Sequence, residues 1–134
     1  TVINCMDGRC QAAVGAWAKE HFGVDYPDTL TIAGADGVLL DNQAEWKRML
    51  TMAHISTDKH GATKAVLVGH SGCAGFAAEA EGHQEAIKKS VEKLAAEGLY
   101  AEIVGLYHDV DTNELSEVCR FQSTSMPAQA AVLP

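Results

Sequence analysis

Five residues in this chain carry obvious chemistry, and they arrive in two groups: Cys5, Asp7 and Arg9 follow one short apolar run, and His70 and Cys73 follow another. Two thiolates and one imidazole form a soft donor set that suits zinc and leaves the fourth corner of a tetrahedron free for water. That open corner marks a catalytic arrangement, because structural zinc is closed by four protein ligands. Taken alone, Cys5 would read as a small buried hydrophobe; its company makes it a ligand candidate. Asp7 lies close enough to accept a hydrogen bond from water on the metal, and Arg9 can hold that carboxylate through a charge-assisted, bidentate pair. Cys10 and Cys119 lack such company and read as plain thiols. No Cys-x-x-Cys is present to support thiol redox chemistry.

The elements that deliver these residues are legible in outline. Thr1 to Cys5 has the β-branched, apolar character of a buried strand and stops at the loop Met6 to Arg9. From Cys10 to Phe22, the helical spacing of Val14, Trp17, Ala18 and His21 predicts an amphipathic helix ended by Gly23 in a left-handed cap. Thr29 to Ala33 reads as a second strand, opened by Pro27 and Asp28 and closed by a Gly34 to Gly37 loop. Asp41 or Asn42 can cap a helix carrying Trp46, Met49, Leu50 and Ala53, with His60 and Gly61 near its end. Trp17, Trp46, Met49 and Leu50 are core candidates.

A third strand, Lys64 to Gly69, delivers His70, Ser71, Gly72 and Cys73 into the loop beyond it. Gly82 separates an alanine-rich segment from a helix whose stripe is Ile87, Val91 and Leu94. On its outer face Glu85 and Lys89, and Lys93 and Glu97, are spaced for pairing. Tyr100 to Tyr107 reads as a fourth strand, and Asp111 to Glu114 as a turn into a weak final strand around Leu115 to Val118. The stretch after Arg120 has little periodicity and is left unassigned.

Composition narrows the function classes. The 134 residues suit one domain spanning 1–134, and 47% hydrophobic residues suffice for a real core. Ten scattered Lys and Arg against eighteen Asp and Glu give a net charge of -8, which argues against a nucleic-acid partner. No apolar run approaches the roughly 18 to 20 residues that span a bilayer, so no membrane role is expected. The strand-like TVINC opening does not read as a signal peptide, and the expectation is a cytoplasmic chain whose cysteines stay reduced.

Strands alternating with helices predict a mainly parallel sheet built from right-handed crossovers. With the first strand between the second and third, the carboxyl ends of the first and third flank a topological switch point, where open α/β sheets bind ligands. That order is adopted partly because it brings Cys5 and His70 together.

Cys5-Met6-Asp7-Gly8-Arg9, taken with Gly69-His70-Ser71-Gly72-Cys73-Ala74-Gly75, resembles the two motifs of the β-class carbonic anhydrases. In that family the first motif usually reads Cys-x-Asp-Ser-Arg, and the second supplies a His and a Cys separated by two residues. Ala33-Gly34 is similar to the end of the family's Arg-Asn-Ala-Gly, and Tyr107 to Leu115 resembles its terminal hairpin. The resemblance covers Thr1 to Val118.

It implies an α/β three-layer sandwich around a mainly parallel four-stranded sheet in the order 2-1-3-4, to which the weak final strand would add an antiparallel fifth edge. It also implies one zinc per chain on Cys5, His70 and Cys73, a homodimer or higher homo-oligomer, and reversible hydration of carbon dioxide to bicarbonate. In some members the Asp corresponding to Asp7 swings onto zinc and closes the site, so two resting states are open. Gly8 replaces the usual Ser or Ala, Thr31-Ile32 replaces Arg-Asn, and the expectation is a member without the family's N-terminal helices. The chain therefore resembles a minimal, divergent member whose substrate pocket is not carried over.

Carbon dioxide is neutral and weakly electrophilic, so its hydration near neutrality needs a hydroxide, which zinc generates by lowering the pKa of bound water from about 15.7 toward 7. Two thiolates cancel the charge of the dication, so that water is less acidic than on an all-histidine site, and activity is expected to climb with pH above neutrality. Gly8 and Gly72 fit either close turns around a metal or ordinary turns. His21, His54, His60, His83 and His108 are proton-shuttle candidates by residue type only. For His21 and His54, on helix apolar faces, partial burial is expected. Rival readings are a hydrolase of carbonyl sulfide or carbon disulfide on the same zinc, and a zinc-binding homologue without turnover, which would leave Asp7 and Arg9 without a task.

Overall fold

The β-branched run at the start of the chain becomes β1 (Val2–Asn4), buried along its whole length, which is why it shows no polar alternation. The structure is a computed structural model and describes residues 1–123. After a short 3-10 turn (Gly8–Cys10) come α1 (Gln11–Phe22), β2 (Thr29–Thr31), α2 (Ala35–Asp41), α3 (Gln43–His60), β3 (Lys64–His70), α4 (Ala80–Ala95), β4 (Glu102–Asp109) and β5 (Glu114–Gln122). Gly23 (φ 64) ends α1 in the left-handed cap its sequence predicts. Asn42 starts α3 by accepting the Glu45 N–H at 3.0 Å.

The sheet order is β2-β1-β3-β4-β5. The first four strands are mutually parallel, and β5 pairs antiparallel with β4, with an irregularity between Gly105 and Leu106. Two apolar clusters make the three layers. On one face Val14 and Ala18 of α1 pack on Val2, Val66, Val68, Val104 and Leu106. On the other, Leu39, Trp46, Met49, Ile87, Val91 and Leu94 from α2, α3 and α4 cover Ile3, Leu67 and Ile103. Each fully buried aliphatic side chain there contributes about 1.5–3 kcal/mol. Trp46 and Met49 are core residues, whereas Trp17 and Leu50 are partly buried at its margin.

Several expectations need correction. The Gly34 to Gly37 stretch does not form a loop. Gly34 (φ 66) turns the chain directly into α2, and Gly37 sits inside that helix because the Phe76 ring occupies the space a Cβ would fill. Gly82 lies within α4 instead of preceding it. The weak final strand is a full nine-residue edge strand whose exposed polar residues hide its period, and it absorbs the start of the unassigned stretch. The rest of that stretch, 124–134, lies outside the described residues.

His21 and His54 are exposed: His21 stacks on Trp17, and His54 faces Asp58. Glu85 and Lys89 pair at 3.7 Å as their spacing predicts. Lys93 instead reaches inward, donating to the Leu39 carbonyl at 2.9 Å and covering the Trp46 ring. Among the described residues no helix is long and apolar enough to cross a membrane.

Candidate metal centre

β1 ends one residue before Cys5, and the loop that follows is pinned from both sides. Asn4 Oδ1 accepts the Cys5 N–H at 2.9 Å. From the first turn of α1, Gln11 Nε2 donates to the carbonyls of Cys5 (2.8 Å) and Asp7 (2.7 Å). Asp7 caps the 3-10 turn by accepting the Arg9 N–H at 2.9 Å, so the two-residue spacing of Asp7 and Arg9 is what the turn geometry requires. His70 is the last residue of β3. Ser71 fastens the next loop to the β4–β5 hairpin: its N–H donates to the His108 carbonyl at 3.0 Å, and its Oγ accepts the Val110 N–H at 2.9 Å.

The two loops place all five candidate residues together. The ligand atoms of Cys5, His70 and Cys73 lie within 4.8 Å of one another, and all three residues are buried. The two sulfurs are 4.0 Å apart; sulfurs sharing a tetrahedral zinc at about 2.3 Å would stand about 3.8 Å apart. His70 Nδ1 donates to the Ser71 carbonyl at 2.7 Å, which puts the ring proton there and leaves Nε2 as an acceptor. That Nε2 is buried without a hydrogen-bond partner among the described residues. An orphaned acceptor beside two convergent thiols is what a cation would satisfy, so the donor set fits zinc.

Arg9 grips Asp7 in the bidentate mode, with Nε at 3.1 Å from Oδ1 and Nη2 at 2.7 Å from Oδ2. Nη2 also donates to the Gly72 carbonyl at 3.1 Å, so one guanidinium ties the two loops together. Asp7 Oδ2 stands 4.0 Å from His70 Nε2. In this structure the carboxylate is therefore engaged by Arg9 at the edge of the donor set. Gly72 needs its glycine, with φ 61 beside Arg9, whereas Gly8 has open space and reads as an ordinary turn residue.

Hydrogen bonds from the Arg9 side chain and N–H hold the Asp7 carboxyl well below the usual carboxylate range. Burial pushes the Cys73 thiol up, against the pull of the Phe76 and Gly75 N–H groups, and the adjacent Cys5 adds to the rise. Two neighbouring thiolates thus call for a cation. Burial also pushes Cys10 up to about 12, which fits its reading as a plain thiol.

The other histidines divide by place. His60 is exposed and bonds Asp28 at 2.7 Å, just before β2 and at the opposite end of the sheet from Cys5 and His70. His83 and His108 are fully buried. Sequence reasoning did not find the partner of His83, which is Asp36 at 2.6 Å, nor the Gly34 N–H that donates to Cys5 Sγ at 3.4 Å. The Ala33-Gly34 match pointed at the second of these without revealing its role. A groove of about 460 Å³, lined by Met6, Thr31, Ile32, Ala33, Val38 and Arg48, runs beside the Cys5 loop.

A family model described as "Putative carbonic anhydrase" matches residues 1–119. No curated protein matches the chain. Among solved structures, a carbonic anhydrase from Glaciozyma antarctica is similar at 19% identity and TM-score 0.58, over 88% of this chain and 80% of that one. One from Streptococcus mutans is similar at 20% identity and TM-score 0.55, over the same shares. A structure of tetrameric β-carbonic anhydrases from Sordaria macrospora follows at 15% identity and TM-score 0.51, over 90% of this chain and 81% of that one. At these identities the likeness is one of fold.

Proposed function

The chain belongs to the family described as putative carbonic anhydrase, as a divergent member with the β-class fold, and from that premise we propose that it catalyses the zinc-dependent, reversible hydration of carbon dioxide to bicarbonate. The observation that carries this reading is the convergence of Cys5, His70 and Cys73 within 4.8 Å beside a carboxylate already fixed by an arginine. Cys5, His70 and Cys73 would hold one zinc per chain, the His70 tautomer being set by the Ser71 carbonyl. When bound, zinc supplies Lewis acidity that lets water at its open position ionise near neutrality.

The remaining work falls to Asp7 and Arg9. Asp7, ionised and held at both oxygens, accepts one hydrogen bond from the attacking oxygen nucleophile and so fixes which lone pair faces carbon dioxide. Arg9 keeps Asp7 in that role and off the donor set, because a carboxylate committed to a guanidinium is a poorer fourth ligand. The groove lined by Met6, Ile32 and Val38 borders the Cys5 loop, the side from which we propose that a small neutral gas approaches. Each turnover binds one carbon dioxide and one water and releases one bicarbonate and one proton.

The reading extends to a homo-oligomer working in the cytoplasm, where thiol ligands stay reduced. Its support is the exposed edge strand β2, together with the tetrameric assembly named for the Sordaria macrospora proteins.

Stopped-flow carbon dioxide hydration with metal quantification tests the proposal. Wild-type protein is expected to carry one zinc per chain and hydrate carbon dioxide, and Asp7→Ala to keep the zinc while losing about 10²-fold or more in kcat. Zinc-loaded wild type that leaves carbon dioxide untouched, or that turns over only carbonyl sulfide or carbon disulfide in parallel assays, would overturn it.

A further inference from the structure

We propose that Asp36 and His83 are a buried positioning pair for the metal centre, seating the first turn of α2 against the Cys73 loop so that the Gly34 N–H meets the Cys5 sulfur. The inference rests on the reading of Cys5 and Cys73 as metal ligands and adds two residues that touch neither metal nor substrate. His83 Nδ1 donates to Asp36 Oδ2 at 2.6 Å, with Asp36 1% and His83 0% exposed. Burying such a pair carries a desolvation cost, and two well-packed apolar side chains would join α2 to α4 at least as firmly. Stability alone gives no reason for it. Its location does.

Asp36 is the second residue of α2, two positions after Gly34, whose N–H donates to Cys5 Sγ at 3.4 Å. Its carboxylate lies against Gly69, the residue before His70, so closely that a Cβ there would overlap Oδ2. Ser90 Oγ on α4 holds the Asp36 carbonyl at 2.7 Å. His83 Nε2 has no hydrogen-bond partner among the described residues, so the bond to Asp36 is the one hydrogen bond that orients the ring.

That ring stands edge-on to Phe76, 5.0 Å between centroids. Phe76, three residues after Cys73, fits into the space left by Gly37 of α2. A Cβ on Gly34 would come within 2.5 Å of the Gly75 carbonyl carbon. The α2 turn and the Cys73 loop therefore form one body, seated on the Asp36–His83 pair, that presents the Gly34 N–H to the Cys5 sulfur. Such donors withdraw charge from thiolates and fix their direction, and losing outer partners of this kind typically weakens metal binding about 10–100-fold.

The test is zinc affinity by chelator competition, with the sulfur-to-metal charge-transfer band of the cobalt-substituted protein as a second readout. His83→Leu removes the donor. His83→Asn places an amide N–H where Nδ1 stands, and His83→Gln places it where Nε2 stands. His83→Leu and His83→Gln are expected to bind zinc about 10–100-fold more weakly with the band moved to longer wavelength, while His83→Asn stays close to wild type. Leu94→Ala, a core lesion elsewhere on α4, is expected to lower the unfolding midpoint without changing either readout.

Unchanged affinity and band in His83→Gln would overturn the proposal, as would equal weakening in Leu94→Ala. Should His83→Leu fail to fold, the contrast between Gln and Asn at the same position decides. Wild type that binds zinc but does not hydrate carbon dioxide overturns the proposed activity and leaves this inference standing. Wild type that binds neither metal overturns both.

Discussion

At the scale of single residues, labour is divided between three donors and an ion pair. Arg9 is the residue whose loss separates the readings most cleanly, because it touches Asp7 and the Gly72 carbonyl and no metal-ligand atom. Arg9→Ala is expected to keep its zinc and lose about 10–100-fold in kcat as Asp7 loses its anchor. Normal turnover in that variant would show that Asp7 needs no holding. The pH profile belongs to the same experiment. The depressed Asp7 pKa means that the ionised form is favoured above the ordinary carboxylate range of about 4 and is lost only as pH falls below that. Asp7 therefore contributes no step between about pH 6 and 9, where wild-type activity should rise with the ionisation of water at the metal. A flat profile across that window would contradict the proposed chemistry.

At the scale of elements, the site depends on how closely α2 and the Cys73 loop approach. Gly34 and Gly23 both adopt left-handed φ, 66 and 64, but only Gly34 has backbone pressed against it. Gly23→Ala should cost about 1–2 kcal/mol from φ alone. Gly34→Ala should cost clearly more and lose zinc binding as well, measured by denaturant unfolding with and without the metal; equal costs would show that the approach is soft. The same residues show what sequence could reveal. The parallel sheet, the cap at Gly23 and the five candidate residues were legible because strand composition, helical period and ligand chemistry are local signals, whereas the strand order came from bringing Cys5 and His70 together and from the family resemblance. Helix α2 was not, since Gly34 and Gly37 look like a loop until the Phe76 ring and the Gly75 backbone are seen filling the space where their Cβ atoms would stand. The Asp36–His83 pair was invisible because its members lie 47 positions apart, and nothing local marks either as buried. His21 and His54 erred the other way: helical period placed them on apolar faces, but the buried stripe is narrower, Val14 and Ala18 in α1 and Trp46, Met49, Ala53, Ser56 and Thr57 in α3, and leaves both histidines outside it.

At the scale of the whole molecule, one α/β sandwich brings two distant loops to the carboxyl ends of β1 and β3, and what holds those loops in register is a short list of polar ties and three convergent donors. The net charge of -8 suits the proposed neutral substrate and disfavours accumulation of the proposed anionic product near the surface. The edge strand β2 leaves a sheet margin for a second copy, consistent with the proposed assembly. All of this rests on metal held by two sulfurs and one nitrogen. X-ray absorption at the zinc edge of the purified protein measures that directly: the account predicts two sulfur neighbours at about 2.3 Å and one imidazole nitrogen at about 2.0–2.1 Å. A shell of oxygen and nitrogen without sulfur, or protein that retains no zinc, would contradict it.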